Sequence, residues 1–299
     1  MKKKSNLALV LGILLCIAYA VSREFAPPVP DSAAGTITAG SSAAGADIHF
    51  IDVGQGDAEL ITYGDSAVLI DGGKQSAGDT VVDYLTRQGV AQLDAVIATH
   101  PHEDHIGGLV DVLDAFEVEA IYMSDEAMDS RIFEKLLDAI EAEGLEPECP
   151  EIGDTIPFGD TDAVFTVLAP GTDSRETYGN DPNAWSLVVR LDAAGCSALF
   201  TGDTTSSVEK DIVENHYELL DCDILKVAHH GSRTSSCQAF IEAVMPKYAV
   251  LSYGAGNSYG LPDEEIFSYL EPLGTKILET AKHGTIVLHM ENGEVREAA

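Results

Sequence analysis

The chain has 299 residues, 45% of them hydrophobic and only 7% aromatic, which suits one large or two small globular domains with a sizeable core. Its charge is far from balanced, with 50 acidic against 17 basic residues and a formal net charge of -33. Such an excess repels polyanions at long range, and beyond the first residues no run of Lys or Arg offers a nucleic-acid footprint; DNA binding is disfavoured unless the site supplies its own positive potential.

Met1-Lys2-Lys3-Lys4 is a basic start, Leu7 to Ile17 an apolar core, and Ala18-Tyr19-Ala20 a small-x-small site, the pattern of an export signal. The apolar stretch falls short of the roughly 20 residues of a full span. Residues 1–20 therefore read as a cleaved signal, with a retained N-terminal anchor as the alternative. Either way the protein is expected outside the cell or at its surface, touching membrane only through this segment. Residues 21–46, rich in Ala, Gly, Ser and Pro, read as a flexible linker, and residues 47–299 as the folded domain. Cys149, Cys196, Cys222 and Cys237 show no C-x-x-C pairing, which speaks against a cysteine metal site and leaves disulfides and buried thiols both open.

The domain opens with the stretch Ile48 to Ile61, in which two strand-like runs flank the turn Gly54-Gln55-Gly56-Asp57. A third run, Val68-Leu69-Ile70, ends in Asp71-Gly72-Gly73, so Asp52, Gln55, Asp57 and Asp71 gather at strand ends. Gly78 to Gln88 reads as a helix burying Val81, Val82 and Leu85. The aliphatic run Ala95 to Ala98 is a buried strand, and Thr99-His100-Pro101-His102-Glu103-Asp104-His105 follows at its carboxyl end, where open α/β sheets place their sites. Three imidazoles and a carboxylate this close form the ligand set that Zn²⁺ accepts. Glu103 is expected to face solvent.

Leu109 to Phe116 and Ile132 to Ile140 have helical spacing, and Cys149 to Ala169 alternates as strands do, with a turn at Phe158-Gly159-Asp160. Asn183 and Ser186 lie where a polar loop enters the strand ending at Leu191. Cys196 to Phe200 is a strand ending in Thr201-Gly202-Asp203, and Asp223 to Ala228 another, ending in His229-His230-Gly231-Ser232-Arg233. Register does not decide which of His229 and His230 is the ligand. A late strand, Pro246 to Tyr253, leads into the loop that carries Asn257, followed by a helix from Asp263 to Leu270 and a closing strand from Thr285 to His289. His216, His283 and His289 read as surface or structural.

The pattern H-x-H-x-D-H after a strand resembles the signature of the metallo-β-lactamase superfamily. That resemblance implies an α/β fold, a four-layer αββα sandwich with a metal centre, usually dinuclear, at the sheet edges. By position, His100 and His102 would bind one metal, Asp104 and His105 the other, with Asp203 bridging them and His229 or His230 completing the second. The strings F-I-D-V-G-Q-G-D, L-I-D-G-G and H-H-G-S-R-T-S-S resemble the soluble hydrolase domain of the competence proteins ComEC and Rec2. This implies that Asp52, Gln55 and Asp57 border the pocket, that Asp71 supports the first ligand loop, and that Ser232 and Arg233 hold phosphate oxygens. Two departures stand out: no histidine lies between His105 and His216, where many members carry a ligand and this chain has N-x-x-S-L, and Leu261 replaces a histidine before Pro262.

The expected function is that of an exported metal-dependent hydrolase. It would act on phosphoester or phosphodiester bonds, in nucleic acid or a phosphorylated envelope component, through a metal-activated water. Two Zn²⁺ ions are the expected cofactors, with Mn²⁺ or another divalent metal as alternatives. Asp104, His230 and Asn183 are the catalytic candidates; Asp52, Gln55, Asp57, Ser186, Ser232, Arg233 and Asn257 are the candidate substrate contacts. A lactam or lactone hydrolase on the same scaffold, or a non-catalytic metal-binding accessory module of envelope or DNA-uptake machinery, are the competing readings.

Overall fold

The computed structural model describes residues 45–171 and 174–298; the expected export signal and nearly all of the linker lie outside them. Ala46, assigned to the linker from composition, is instead the first residue of a strand and fully buried, because its methyl group packs into the core.

The first sheet takes β1 (Ala46–Phe50), β2 (Glu59–Tyr63), β3 (Ser66–Ile70), β4 (Ala95–Ala98) and β5 (Ile121–Met123). The second takes β6 (Thr155–Pro157), β7 (Val164–Ala169), β8 (Val188–Ala193), β9 (Cys196–Phe200), β10 (Ile224–Lys226), β11 (Tyr248–Leu251) and β12 (Lys276–Glu279). The chain then returns to the first sheet with β13 (Ile286–Glu291) and β14 (Glu294–Glu297), giving the orders β14-β13-β1-β2-β3-β4-β5 and β12-β11-β10-β9-β8-β7-β6. β3, β4 and β5 run parallel, as do β9 to β12.

Period-two alternation builds the layers. Val68 and Ile70 of β3 face the second sheet with Phe165, Val189 and Phe200, whereas Ala67 and Leu69 face outward. The outer face of the first sheet is covered by α1 (Gly78–Gln88), α2 (Glu103–Ile106), α3 (Leu109–Ala115) and α4 (Arg131–Ala142). A short helix α5 (Ser174–Tyr178) precedes the loop into β8. α6 (Ser206–Asn215), α7 (Gln238–Val244) and α8 (Glu264–Leu270) cover the second sheet, and α9 (Thr280–His283) follows β12. The result is the four-layer αββα sandwich expected from the sequence. No disulfide joins Cys149, Cys196, Cys222 and Cys237, and among the described residues no helix is long and apolar enough to cross a membrane.

The parallel strands deliver their carboxyl ends to one edge. Just past these ends come Asp71 after β3, His100 after β4, Asp203 after β9, the His229-His230 pair after β10 and Ser252 after β11. Segments more than a hundred residues apart in sequence therefore meet there.

Candidate metal centre

Two groups of side chains converge at this edge. His100, His102 and Asp203 form one, and Asp104, His105 and His230 the other; within each group the ligand atoms all lie within 4.8 Å of one another. Asp203 links them: its Oδ2 is 3.9 Å from His100 Nε2 and 3.6 Å from His230 Nε2, and its Oδ1 is 3.3 Å from His105 Nε2. Asp104 Oδ2 lies 3.6 Å from His230 Nε2.

These separations suit a shared cation. Two ligand atoms on one tetrahedral Zn²⁺, each about 2.05 Å from it, stand about 3.4 Å apart. The buried atoms His105 Nε2, His230 Nε2 and Asp203 Oδ1 also have no hydrogen-bond partner, a costly state for polar atoms in a core unless something else satisfies them. The donor set and its orphaned atoms thus fit a divalent metal.

The outer nitrogens of the imidazoles are held from behind. His105 Nδ1 donates to Asp71 Oδ2 at 2.7 Å, His230 Nδ1 to the Ser252 carbonyl at 2.9 Å, and His100 Nδ1 lies 3.1 Å from Thr99 Oγ1. Asp71 also accepts from Thr99 N and Thr99 Oγ1, so one carboxylate holds His105 directly and, through Thr99, the residue that backs His100. Fixing the outer nitrogen aims Nε2 into the cluster and sets its tautomer.

Backbone geometry serves the same end. Asp71, His229 and His230 all adopt left-handed conformations, with φ of 54°, 51° and 55°; non-glycine residues pay for this, and such strain collects at functional sites. Gly56 is required where it stands, because a Cβ there would come 2.4 Å from the Asp104 carbonyl oxygen. The neighbouring Asp57 N–H donates to that same oxygen at 3.1 Å.

Carboxylates set the electrostatics. Burial works against a charged His230, yet Asp203 and Asp57 outweigh it and push the imidazole up to about 10. His105 is likewise held well above its ordinary value against its burial, by Asp203 and Asp71. His100 goes the other way, lowered by burial and by the neighbouring His105. Without a cation, protons on His105 and His230 carry the positive charge that the carboxylates demand.

The sequence profile described as the Metallo-beta-lactamase superfamily matches residues 51–255. The chain belongs to the metallo-beta-lactamase superfamily. It is 31% identical over 264 residues to ComE operon protein 3 of Bacillus subtilis (strain 168), across 82% of this chain and 33% of that protein. It is 30% identical over 247 residues to competence protein ComA of Neisseria gonorrhoeae, across 82% and 32%. The chain thus spans about a third of the length of these curated relatives. Among solved structures, the metallo-beta-lactamase fold protein YhfI from Bacillus subtilis superposes with a TM-score of 0.54 at 14% identity, covering 85% of this chain and 100% of that one, a likeness of fold.

Within this superfamily scaffold the remaining candidates divide. His229 lies at the rim, outside both groups, with Nε2 3.8 Å from Asp203 Oδ2 and Nδ1 3.1 Å from Thr234 Oγ1. Arg233 is exposed, its N–H donating to Asp263 Oδ2 at 2.8 Å. Asp52 is exposed and accepts from Gly54 N; Gln55 Oε1 accepts from Gly254 N at 3.3 Å. Ser232 is bonded to Thr234 through its hydroxyl. Asn183 sits in a turn of 3₁₀ helix, Pro182–Trp185, with its Oδ1 buried and without a partner.

Three expected substrate contacts are corrected. Asp57 is 1% exposed and sits behind the histidines, its Oδ2 accepting from Lys226 Nζ at 2.5 Å. Ser186 is fully buried and its Oγ accepts from Asp203 N at 3.2 Å, so it positions the shared carboxylate and cannot reach a substrate. Asn257 spends its amide within its own loop, donating to the Gly254 and Leu261 carbonyls and accepting from Tyr259 N and Leu261 N.

Sequence reasoning missed Lys226 and Glu209. Lys226 is 1% exposed inside an aliphatic strand. Glu209 of α6 is fully buried and accepts from Ser236 N at 2.5 Å and Cys237 N at 2.8 Å, pinning the loop that follows His230. Burial raises the Glu209 carboxyl to about 7, from an ordinary 4.5. Because its folded value is raised, this group's stabilising contribution is complete below about 4.5 and is lost as pH climbs through about 7, a change of the order of 3 kcal/mol. Thermal unfolding followed from pH 5 to pH 8 should therefore show Glu209→Gln gaining on the native chain as pH rises. Parallel curves would contradict this.

Proposed function

We propose that this protein is an exported metal-dependent hydrolase of phosphodiester bonds, with a dinuclear centre held by His100, His102, Asp203, Asp104, His105 and His230. The observation that carries the reading is the Asp203 carboxylate, whose two oxygens stand between two ligand groups at separations suited to shared cations. Zn²⁺ or Mn²⁺ bound there would supply Lewis acidity and lower the pKa of water at the centre. The chain's own residues do the rest: Asp71, Ser252 and Ser186 orient the ligands, while His229 stands at the open rim, 24% exposed, placed to hand a proton from its imidazole to the departing oxygen. In the loop that follows, the exposed Thr234 and Arg233 offer a hydroxyl and a cation for phosphate oxygens, whereas Ser232 and Ser235 are buried. Export is supported by the basic, apolar and small-residue succession of residues 1–20.

Hydrolysis of bis-p-nitrophenyl phosphate beside a chromogenic cephalosporin tests the reaction class. Turnover of the diester alone supports the reading; turnover of the lactam alone favours an amide hydrolase, and metal binding without turnover of either favours the accessory module. Metal loading itself has an expected signature. Since His105 and His230 carry protons in the metal-free chain near neutrality, filling the second group should release roughly one to two protons, and affinity should weaken as pH falls. Calorimetric titration in buffers of different ionisation enthalpy reads this directly, and buffer-independent heats would contradict it.

A further inference from the structure

The peptide Ser186-Leu187 touches both halves of the first ligand group. Ser186 Oγ accepts from Asp203 N at 3.2 Å, and Leu187 N donates at 2.9 Å to the carbonyl of Thr99, the residue whose hydroxyl backs His100. Packing leaves no slack at this junction: a Cβ on Gly202 would stand 2.9 Å from Thr99 Oγ1 and 3.2 Å from Ser186 Cβ. The placement of Ser186 and Leu187 therefore governs how far Asp203 stands from His100, 3.9 Å between Oδ2 and Nε2.

Trp185 opens this peptide and is 3% exposed, its Nε1 donating to the Gly179 carbonyl at 3.1 Å. Arg175 of α5 closes over the ring, its guanidinium carbon 4.3 Å from the centroid, a cation–π contact. The same side chain is tied to the other sheet. Its Nε donates to Glu126 Oε2 at 2.7 Å and its guanidinium to the Ala127 carbonyl at 2.8 Å, while the Arg175 backbone N–H donates to Glu126 Oε1 at 3.0 Å. β5 runs parallel to β4 with Met123 opposite Ala98, so the stretch that follows β5 and holds Glu126 leaves the first sheet at the edge where His100 emerges. One guanidinium thus bridges that stretch and the indole beside Ser186.

We infer that Arg175 is a positioning residue of the metal centre, clasping Trp185 so that Ser186 and Leu187 hold Asp203 at the distance the first metal requires. The inference rests on the dinuclear centre proposed above and not on its substrate. No histidine lies between His105 and His216, so this segment supports the centre from behind and brings no imidazole to it. The two groups depend on it unequally. Besides Asp203, the first has His100 and His102, whereas the second has Asp104, His105 and His230, with its imidazoles backed by Asp71 and the Ser252 carbonyl. Loss of the clasp is therefore felt at the first group.

Calorimetric titration with Zn²⁺, with Trp185 as internal reporter, tests this, because the chain has a single tryptophan. The Arg175 side chain is 43% exposed, and a half-exposed ion pair adds little to global stability, so Arg175→Ala should fold. His102→Ala identifies which Zn²⁺ step belongs to the first group. In Arg175→Ala that step should weaken about tenfold and the other by less than about threefold, the former being the low end for a ligand that loses its support. Trp185 should also become more open to acrylamide quenching. Coupling is reciprocal, so Zn²⁺ should lower that quenching in the native chain. Arg175→Lys, which keeps the charge and loses the planar fork, should fall between. Native affinity at both steps of Arg175→Ala, equal weakening of both, or native quenching that Zn²⁺ leaves unchanged each overturn the inference. A native chain without two Zn²⁺ steps sinks the dinuclear centre itself and this role with it, a failure that shows before any variant is made.

Discussion

Asp203→Ala is expected to lower kcat/KM on bis-p-nitrophenyl phosphate by at least about 10²–10³-fold, the scale of removing one directly placed charge-stabilising group, and to strip metal from both ligand groups. Among the described residues, Asp203 is the one whose oxygens approach His100, His105 and His230 alike. It is 3% exposed, and its N–H is tied to Ser186 Oγ, so its truncation removes the carboxylate shared by His100, His105 and His230 and leaves only Asp104 beside His230. Activity assay together with elemental metal analysis checks this. A variant within tenfold of the native chain, retaining its metal, would show that Asp203 does not organise the centre.

Lys226→Met is expected to cost about 3–5 kcal/mol of stability, the range for removing one partner of a buried ion pair. Lys226 Nζ donates to Asp57 Oδ2 at 2.5 Å and to the Val227 carbonyl at 3.1 Å, and both partners of the ion pair are 1% exposed. Glu59 lies in the same buried region, pushed well above the ordinary carboxylate value by burial and by Asp57. Without the ammonium, the charge on Asp57 loses its bonded cation and is left to the imidazoles of His230 and His105. The effect should reach the metal centre, since Asp57 Oδ1 stands 3.3 Å from His230 Nδ1; metal affinity is expected to fall by roughly 10–100-fold, as when a ligand loses its supporting partner. Denaturant unfolding and metal titration measure the two effects. Asp57→Asn/Lys226→Met, which removes both charges, should recover part of the stability, and a loss below 1 kcal/mol in the single variant would contradict the assignment.

The sequence showed the strands that carry the site more clearly than the helices behind them. Ala95 to Ala98 and Cys196 to Phe200 are short aliphatic runs whose polar sequels mark the sheet edge, and Gly78 to Gln88 has a regular apolar stripe; all three match the elements found. α6 and α7 escaped notice. α6 buries only Val208, Glu209 and Ile212 among polar residues, and α7 is seven residues long, too brief for periodicity to register.

Within the site, the ligand-bearing motif was legible because its residues are consecutive. Which histidine of the later pair enters was not, since successive left-handed residues obey neither strand alternation nor helical period. Asp57 looked like a pocket-side turn residue because its partner, Lys226, is 169 positions away and lies on the inward face of a strand. Ser186 and Asn257 misled for a related reason: local sequence shows a free hydroxyl or amide, and only the fold reveals that each is already engaged.

Anomalous scattering from crystals of the metal-loaded protein tests the central claim most directly. The expected result is two peaks per chain, one among His100, His102 and Asp203, the other among Asp104, His105, His230 and the same aspartate. Metal bound elsewhere, or neither group occupied at saturating Zn²⁺ or Mn²⁺, would contradict it.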